Sequence, residues 1–186
     1  MKKPTIWFDM DGVLAKHCSD DYDAPDYNYL KDGYYRNLEI DVRAEKLFNE
    51  ALEQFDDVYI LTSLNQNMLL SFKWEKDKRE WVKEHFPDFP MPHLHITMSR
   101  KADVAKAVLG RELTAFDILV DDWNDNLHYW TEHGGTAVKY LNASNSKDSW
   151  PYWHIPRRMS VKNAITFLKN FAGGDANAAN SSIENA

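Results

Sequence analysis

Two carboxylates, Asp9 and Asp11, flank a single residue directly after the apolar run TIWF at 5–8. A carboxylate is already a nucleophile at neutral pH and needs no base to activate it. Asp9 could therefore attack phosphorus while also binding magnesium, which prefers oxygen ligands and needs few protein carboxylates. Asp11, two residues on, could protonate a leaving oxygen and later deprotonate a water. Gly12 lets the backbone turn sharply beside a ligand. Taken alone, Asp and Gly after a strand also make an ordinary turn. A calcium-binding loop would need further acids at set spacing and a closing Glu. Val13, Leu14 and Ala15 follow instead, which removes that reading.

Three further groups occupy comparable positions. Thr62 and Ser63 follow the apolar run VYIL at 58–61. A hydroxyl with neighbouring N–H groups can hold a phosphoryl oxygen, although a helix cap is the alternative role. Lys101 opens a helical pattern in SRKADVAKA, where a cation could neutralise both a phosphoryl group and the Asp9 carboxylate. A solvated surface lysine is the alternative there. Asp121 and Asp122 close the run DILV at 117–120. Adjacent acids at the end of a buried run are costly unless something positive lies between them and Asp9. A divalent cation would remove that cost.

These residues need a scaffold that brings distant segments together. Short apolar runs at 5–8, 58–61, 94–97, 117–120 and 136–141 read as strands. Helical patterns separate them at 42–55, 73–86, 101–109, 124–133 and 160–172, with Ser99 and Ser160 as expected caps for two of them. In the 73–86 pattern, Trp74, Trp81, Val82 and Phe86 form the apolar face and the remaining positions are charged. The alternation predicts an α/β fold, a Rossmann-like doubly wound parallel sheet. Ligands gather at the carboxyl ends of such strands, where Asp9, Thr62 and the Asp121–Asp122 pair all stand. Residues 15–40, rich in Asp and Tyr, interrupt the alternation and read as a small cap insertion in a single core domain of residues 1–172. The small polar stretch 173–186 reads as a disordered tail.

Composition excludes several classes. The formal charge is −7 and there is no basic stripe, which argues against a nucleic-acid polymer as partner. Cys18 is the one cysteine, so neither an intrachain disulfide nor a cysteine-based zinc site is available, and a reducing compartment is expected. The apolar run beginning at Thr5 is too short for a signal-peptide core or a membrane span, so a cytoplasmic location is expected. The seven Trp, nine Tyr and nine Phe exceed what a small core needs, so some could line a binding surface. The seven His residues form no spaced cluster and read as structural.

Taken in order, the nucleophile, hydroxyl, lysine and acid pair resemble the motifs of the haloacid dehalogenase-like superfamily. Within it, the chain resembles the 5′(3′)-deoxyribonucleotidase family, the cytosolic type C deoxy-pyrimidine 5′-nucleotidases. The stretches DMDGVLA (9–15), GYYRNL (33–38), ILTS (60–63) with EKDKREWVKEHF, and SRKADV with ILVDDWNDN (118–126) carry the likeness. It implies a phosphoric monoester hydrolase acting through an aspartyl-phosphate on deoxyribonucleoside monophosphates. Asp9 would be nucleophile and Asp11 acid/base. Asp9, the Asp11 carbonyl and Asp122 would hold Mg2+, supported by Asp121. Thr62, Ser63 and Lys101 would grip the phosphate, and Tyr34, Tyr35 and Arg36 of a helical cap would stand near the nucleoside. The sequence departs from that family at Leu64, where Pro is common, and at Trp123, where a basic residue is common. Another small phosphate ester as substrate, or an idle binding protein on the same scaffold, are the alternatives. A homodimer is compatible with the sequence.

Overall fold

A computed structural model describes residues 4–17, 30–64, 68–145 and 150–172. Six strands form one sheet in the order β3-β2-β1-β4-β5-β6, and every pairing is parallel. The strands are β1 (Thr5–Phe8), β2 (Asp57–Ser63), β3 (Leu94–Thr97), β4 (Asp117–Asp121), β5 (Thr136–Tyr140) and β6 (His154–Ile155). The helices are α1 (Val42–Gln54), α2 (Met68–His85), α3 (Lys101–Leu109), α4 (Asn124–Glu132) and α5 (Val161–Ala172). The chain runs outward from β1 through β2 to β3, then crosses back to place β4 on the other side of β1. That reversal opens a crevice at the carboxyl ends of β1 and β4, where ligands bind in open α/β sheets.

Side chains along β1 alternate between two cores. Ile6 and Phe8 pack with Leu47 and Phe48 of α1, Trp81 and Val82 of α2, and Phe167 and Leu168 of α5. Trp7 packs on the other face with Leu61, Leu119, Ala102 of α3 and Trp130 of α4. β4 is buried along its whole length, as a central parallel strand covered on both faces should be. Phe48 is fully buried and meets the rings of Phe8, Phe86 and Phe89 at centroid distances of 5.2, 4.8 and 5.4 Å. Truncating such a ring to Ala costs about 3–5 kcal/mol. Trp7, Trp74, Trp81, Trp130 and Trp150 are all fully buried, so most of the tryptophan serves the cores.

Several helix ends differ from the expected ones. Asp41 caps α1 by accepting from the Arg43 and Ala44 N–H groups at 3.0 and 2.9 Å. Ser99 does not cap α3: Arg100 takes the capping position without a side-chain bond, and the Ser99 N–H is instead held by Thr97 Oγ1 at 2.8 Å. Ser160 does accept from the Asn163 N–H at 3.2 Å at the start of α5. α2 begins at Met68, five residues before the amphipathic pattern becomes readable.

Residues 18–29 of the expected cap and the tail 173–186 lie outside the described residues, as does Cys18. The described part of the 15–40 segment holds a short 3-10 turn at Tyr35–Asn37 that packs on α2. Ala15 bridges Ile40 and so ties this segment to the loop after β1. Among the described residues, no helix is long and apolar enough to cross a membrane.

Candidate active site

The crevice draws its acids from β1 and β4. The Asp9 N–H bonds the Val120 carbonyl at 2.9 Å, continuing the β1–β4 ladder, so Asp9 and Asp121 stand side by side. Carboxylate oxygens of Asp9, Asp121 and Asp122 all lie within 4.8 Å of one another. The loop that follows Asp9 is tight: Gly12 N–H bonds Ala15 O at 2.9 Å and Ala15 N–H bonds Met10 O at 2.8 Å. Gly12 sits at φ +76°, and a Cβ there would lie 2.1 Å from Asp122 Oδ2. Only glycine allows the loop to approach this carboxylate so closely. Asn142, just after β5, fastens the arrangement by donating to the Gly12 carbonyl at 2.8 Å and to Asp122 Oδ2 at 3.0 Å.

Lys101 stands between the two strand ends. Its Nζ lies 2.8 Å from Asp9 Oδ1 and 2.7 Å from Asp121 Oδ2, and the residue is only 2 % exposed. Asp9 Oδ1 also accepts from the Met10 N–H at 2.7 Å. Asp121 is fully engaged, since Trp123 N–H reaches Oδ1 at 2.8 Å and Asn126 Nδ2 reaches Oδ2 at 3.0 Å. Asp121 therefore orients Lys101, whereas Asp9 and Asp122 line the open cavity.

One buried lysine does not neutralise three acids. Burial pushes the Asp9 carboxyl up to about 7; Lys101 opposes the shift, while Asp121 and Asp11 add to it. Burial likewise raises Asp122, reinforced by Asp121 and Asp9. For Lys101 burial works downward, but Asp121 and Asp9 outweigh it and hold the ammonium well above its ordinary value. An all-oxygen donor set with an excess of buried negative charge, in a cradle that a Cβ would fill, fits a hard divalent cation.

The second pole of the site is Lys78 of α2, which is fully buried. Its ammonium pairs with Asp11 Oδ2 and donates to Thr62 Oγ1 at 2.7 Å and to the Ser63 carbonyl at 2.8 Å. The Tyr35 ring covers it at 4.6 Å from the centroid. Sequence reasoning counted this position among the charged ones outside the helix's apolar face. The signal was present in the spacing: Lys78 stands four after Trp74 and three before Trp81, inside the apolar stripe. Asn142 and Asn126 were also missed, since isolated asparagines after a strand or in a first helical turn carry no distinctive pattern.

The sequence-predicted residues divide by position. Asp9, Asp11, Ser63 and Asp122 line a cavity of about 550 Å3 together with His17, Trp123, Asn126, Asn142, Ser144 and Asn145. Thr62 and Lys101 are buried behind it. Of the cap residues, Tyr34 reaches the cavity's edge through a 3.0 Å bond between its hydroxyl and His17 Nδ1. Tyr35 is buried against Lys78 and Trp74. Arg36 faces α2, where it pairs with Glu80 at 2.9 Å. Trp123 is 56 % exposed and lines the cavity. A second cavity of about 580 Å3 adjoins the first, sharing Ser63 and Asn126 and adding Leu64, Met98, Ser99, Arg100 and Asp103.

No protein-family model matches the chain, and no curated protein matches it. Solved structures do. A protein from Mesorhizobium loti, described as a candidate HAD-like phosphatase, superposes with a TM-score of 0.61 at 10 % identity, covering 91 % of this chain and 87 % of that one. A haloacid dehalogenase-like family hydrolase from Xanthomonas campestris superposes with a TM-score of 0.58 at 9 % identity, covering 93 % and 100 %. With its six parallel strands and the acids at their carboxyl ends, the chain thus has the haloacid dehalogenase-like fold.

Proposed function

We propose that the protein is a magnesium-dependent phosphomonoesterase in which Asp9 is the nucleophile. The observation that carries this reading is the placement of Asp9 at a cavity wall, 2.8 Å from a buried lysine and beside Asp122. Asp9, Asp122 and the Asp11 carbonyl are the groups that would hold magnesium. When bound, the ion supplies positive charge that keeps Asp9 ionised and offsets charge on the phosphoryl oxygens.

Asp9 attacks phosphorus, a carboxylate O–P bond forms, and the bond from phosphorus to the leaving oxygen breaks. Asp11 gives its proton to that oxygen, releasing an alcohol. Lys101 holds both Asp9 and the charge gathering on the transferred group. Asp11, now a carboxylate, takes a proton from water as the water attacks phosphorus. Orthophosphate leaves and the Asp9 carboxylate is restored.

For substrate we propose deoxyribonucleoside 5′(3′)-monophosphates, on the strength of the sequence motifs. Trp123 at the cavity mouth supports a flat leaving group, since a base stacked on an aromatic ring gains about 1–3 kcal/mol. Another small phosphate ester is the second reading, favoured by Tyr35 and Arg36 being engaged on α2. We place the protein in the cytoplasm on its single cysteine. Phosphate release from a panel of esters with magnesium tests the proposal. Turnover that disappears in Asp9→Asn is expected, with dUMP and dTMP ahead of sugar phosphates. Unchanged turnover in that variant would sink the mechanism, and sugar phosphates in the lead would sink the nucleotide assignment alone.

A further inference from the structure

We infer that Lys78 is a positioning residue that orients the Asp11 carboxyl for proton transfer and sets which way the Thr62 hydroxyl points. The inference rests on the phosphomonoesterase reading above. An ammonium has three N–H donors and no acceptor. All three are used: Asp11 Oδ2, Thr62 Oγ1 and the Ser63 carbonyl each take one. The Tyr35 ring lies over the ammonium, 4.6 Å from nitrogen to ring centroid. Lys78 thus has no donor left for a phosphoryl group, unlike a lysine that binds substrate directly.

Its effect falls on its partners. With Oδ2 of Asp11 held by the ammonium, the other oxygen, Oδ1, is buried and has no hydrogen-bond partner among the described residues. The ammonium thus fixes the orientation of the Asp11 carboxyl beside the cavity that Asp11 lines. Thr62 Oγ1 accepts from Lys78, which leaves its own O–H to donate toward a phosphoryl oxygen. Two groups with different tasks, on β2 and on the loop after β1, are thereby set by one side chain from α2.

The test separates positioning of the acid from general support of the fold. Phenyl phosphate needs a proton on its leaving oxygen much more than 4-nitrophenyl phosphate does, although both present a flat ring. Lys78→Met should lower kcat for phenyl phosphate roughly tenfold more than for 4-nitrophenyl phosphate, within the range that general-acid catalysis supplies. In an Asp11→Asn background the same substitution should no longer discriminate between the two esters. Thermal unfolding gives a readout independent of turnover: Lys78→Met should lower the midpoint less when Asp11 is already Asn. If Lys78→Met does not fold, Lys78→Arg keeps the charge but replaces a compact ammonium by a broad planar fork, and should show the same asymmetry. Equal loss on both esters, with Asp9→Asn inactive, overturns the role of Lys78 alone. Full turnover in Asp9→Asn overturns the phosphomonoesterase reading and this inference with it.

Discussion

Replacing Lys101 by Met keeps the length of the side chain but removes the ammonium that pairs with both Asp9 and Asp121. Its Nζ lies 2.8 Å and 2.7 Å from them, and all three residues are buried. Removing one partner of a buried pair leaves uncompensated charge and costs about 3–5 kcal/mol. For a chain of this size each kcal/mol lowers Tm by roughly 2–4 °C, so Lys101→Met without metal should melt about 6–20 °C below the parent at pH 8. The loss should shrink at pH 5. Burial already raises Asp9 to about 7 with Lys101 in place, so at the lower pH it takes up a proton and no longer needs the cation. Differential scanning calorimetry of both proteins at the two pH values measures this. A deficit that is the same at pH 5 and pH 8, or absent at both, would refute the electrostatic argument.

The other expectations concern the cation and its cradle. A raised carboxyl means that the folded protein binds more protons than the unfolded chain between about 3.8 and about 7, so metal-free stability should fall as pH rises through that window. Magnesium should raise Tm more at pH 8 than at pH 5; a pH-independent gain would argue against binding at these acids. Gly12→Ala would force a methyl carbon to within 2.1 Å of Asp122 Oδ2 at a φ of +76°, so Asp122 must move. Magnesium-induced stabilisation, followed by thermal shift, should weaken about tenfold in apparent affinity, equivalent to roughly 1.4 kcal/mol. An unaltered titration would mean that Asp122 is not a ligand. Asn142→Ala removes the donors to the Gly12 carbonyl and Asp122 and should lower stability by about 1–3 kcal/mol, read by urea denaturation; a change within error would show that the clamp carries little.

Much of the candidate site was legible because its acids stand at or just after the ends of buried strands. β1 and β4 announce themselves as apolar runs, and a carboxylate at the end of such a run is conspicuous. β6 was not legible: His154 and Ile155 pair with β5 over two residues, too short to show a period. Lys78 was hidden because a lysine in a charge-rich helix normally faces water, and only its tertiary partners reveal that it turns inward. Ser99 illustrates the opposite error. Its type suits a cap, but the helix begins at Lys101 as expected, and Arg100 rather than Ser99 stands directly before it. For the cap, the family resemblance put Tyr35 near the nucleoside, whereas its ring is buried over the Lys78 ammonium. Trp123 came to notice as a departure from a family pattern; the structure adds that it is exposed and lines the cavity.

The direct test of the central claim is to catch phosphate on Asp9. The protein, mixed with a 32P-labelled ester and magnesium and quenched in acid within milliseconds, should carry label on the peptide containing Asp9, and hydroxylamine should release it as expected for an acyl phosphate. Label on another residue, or full turnover with none on the protein at any time, would contradict the account.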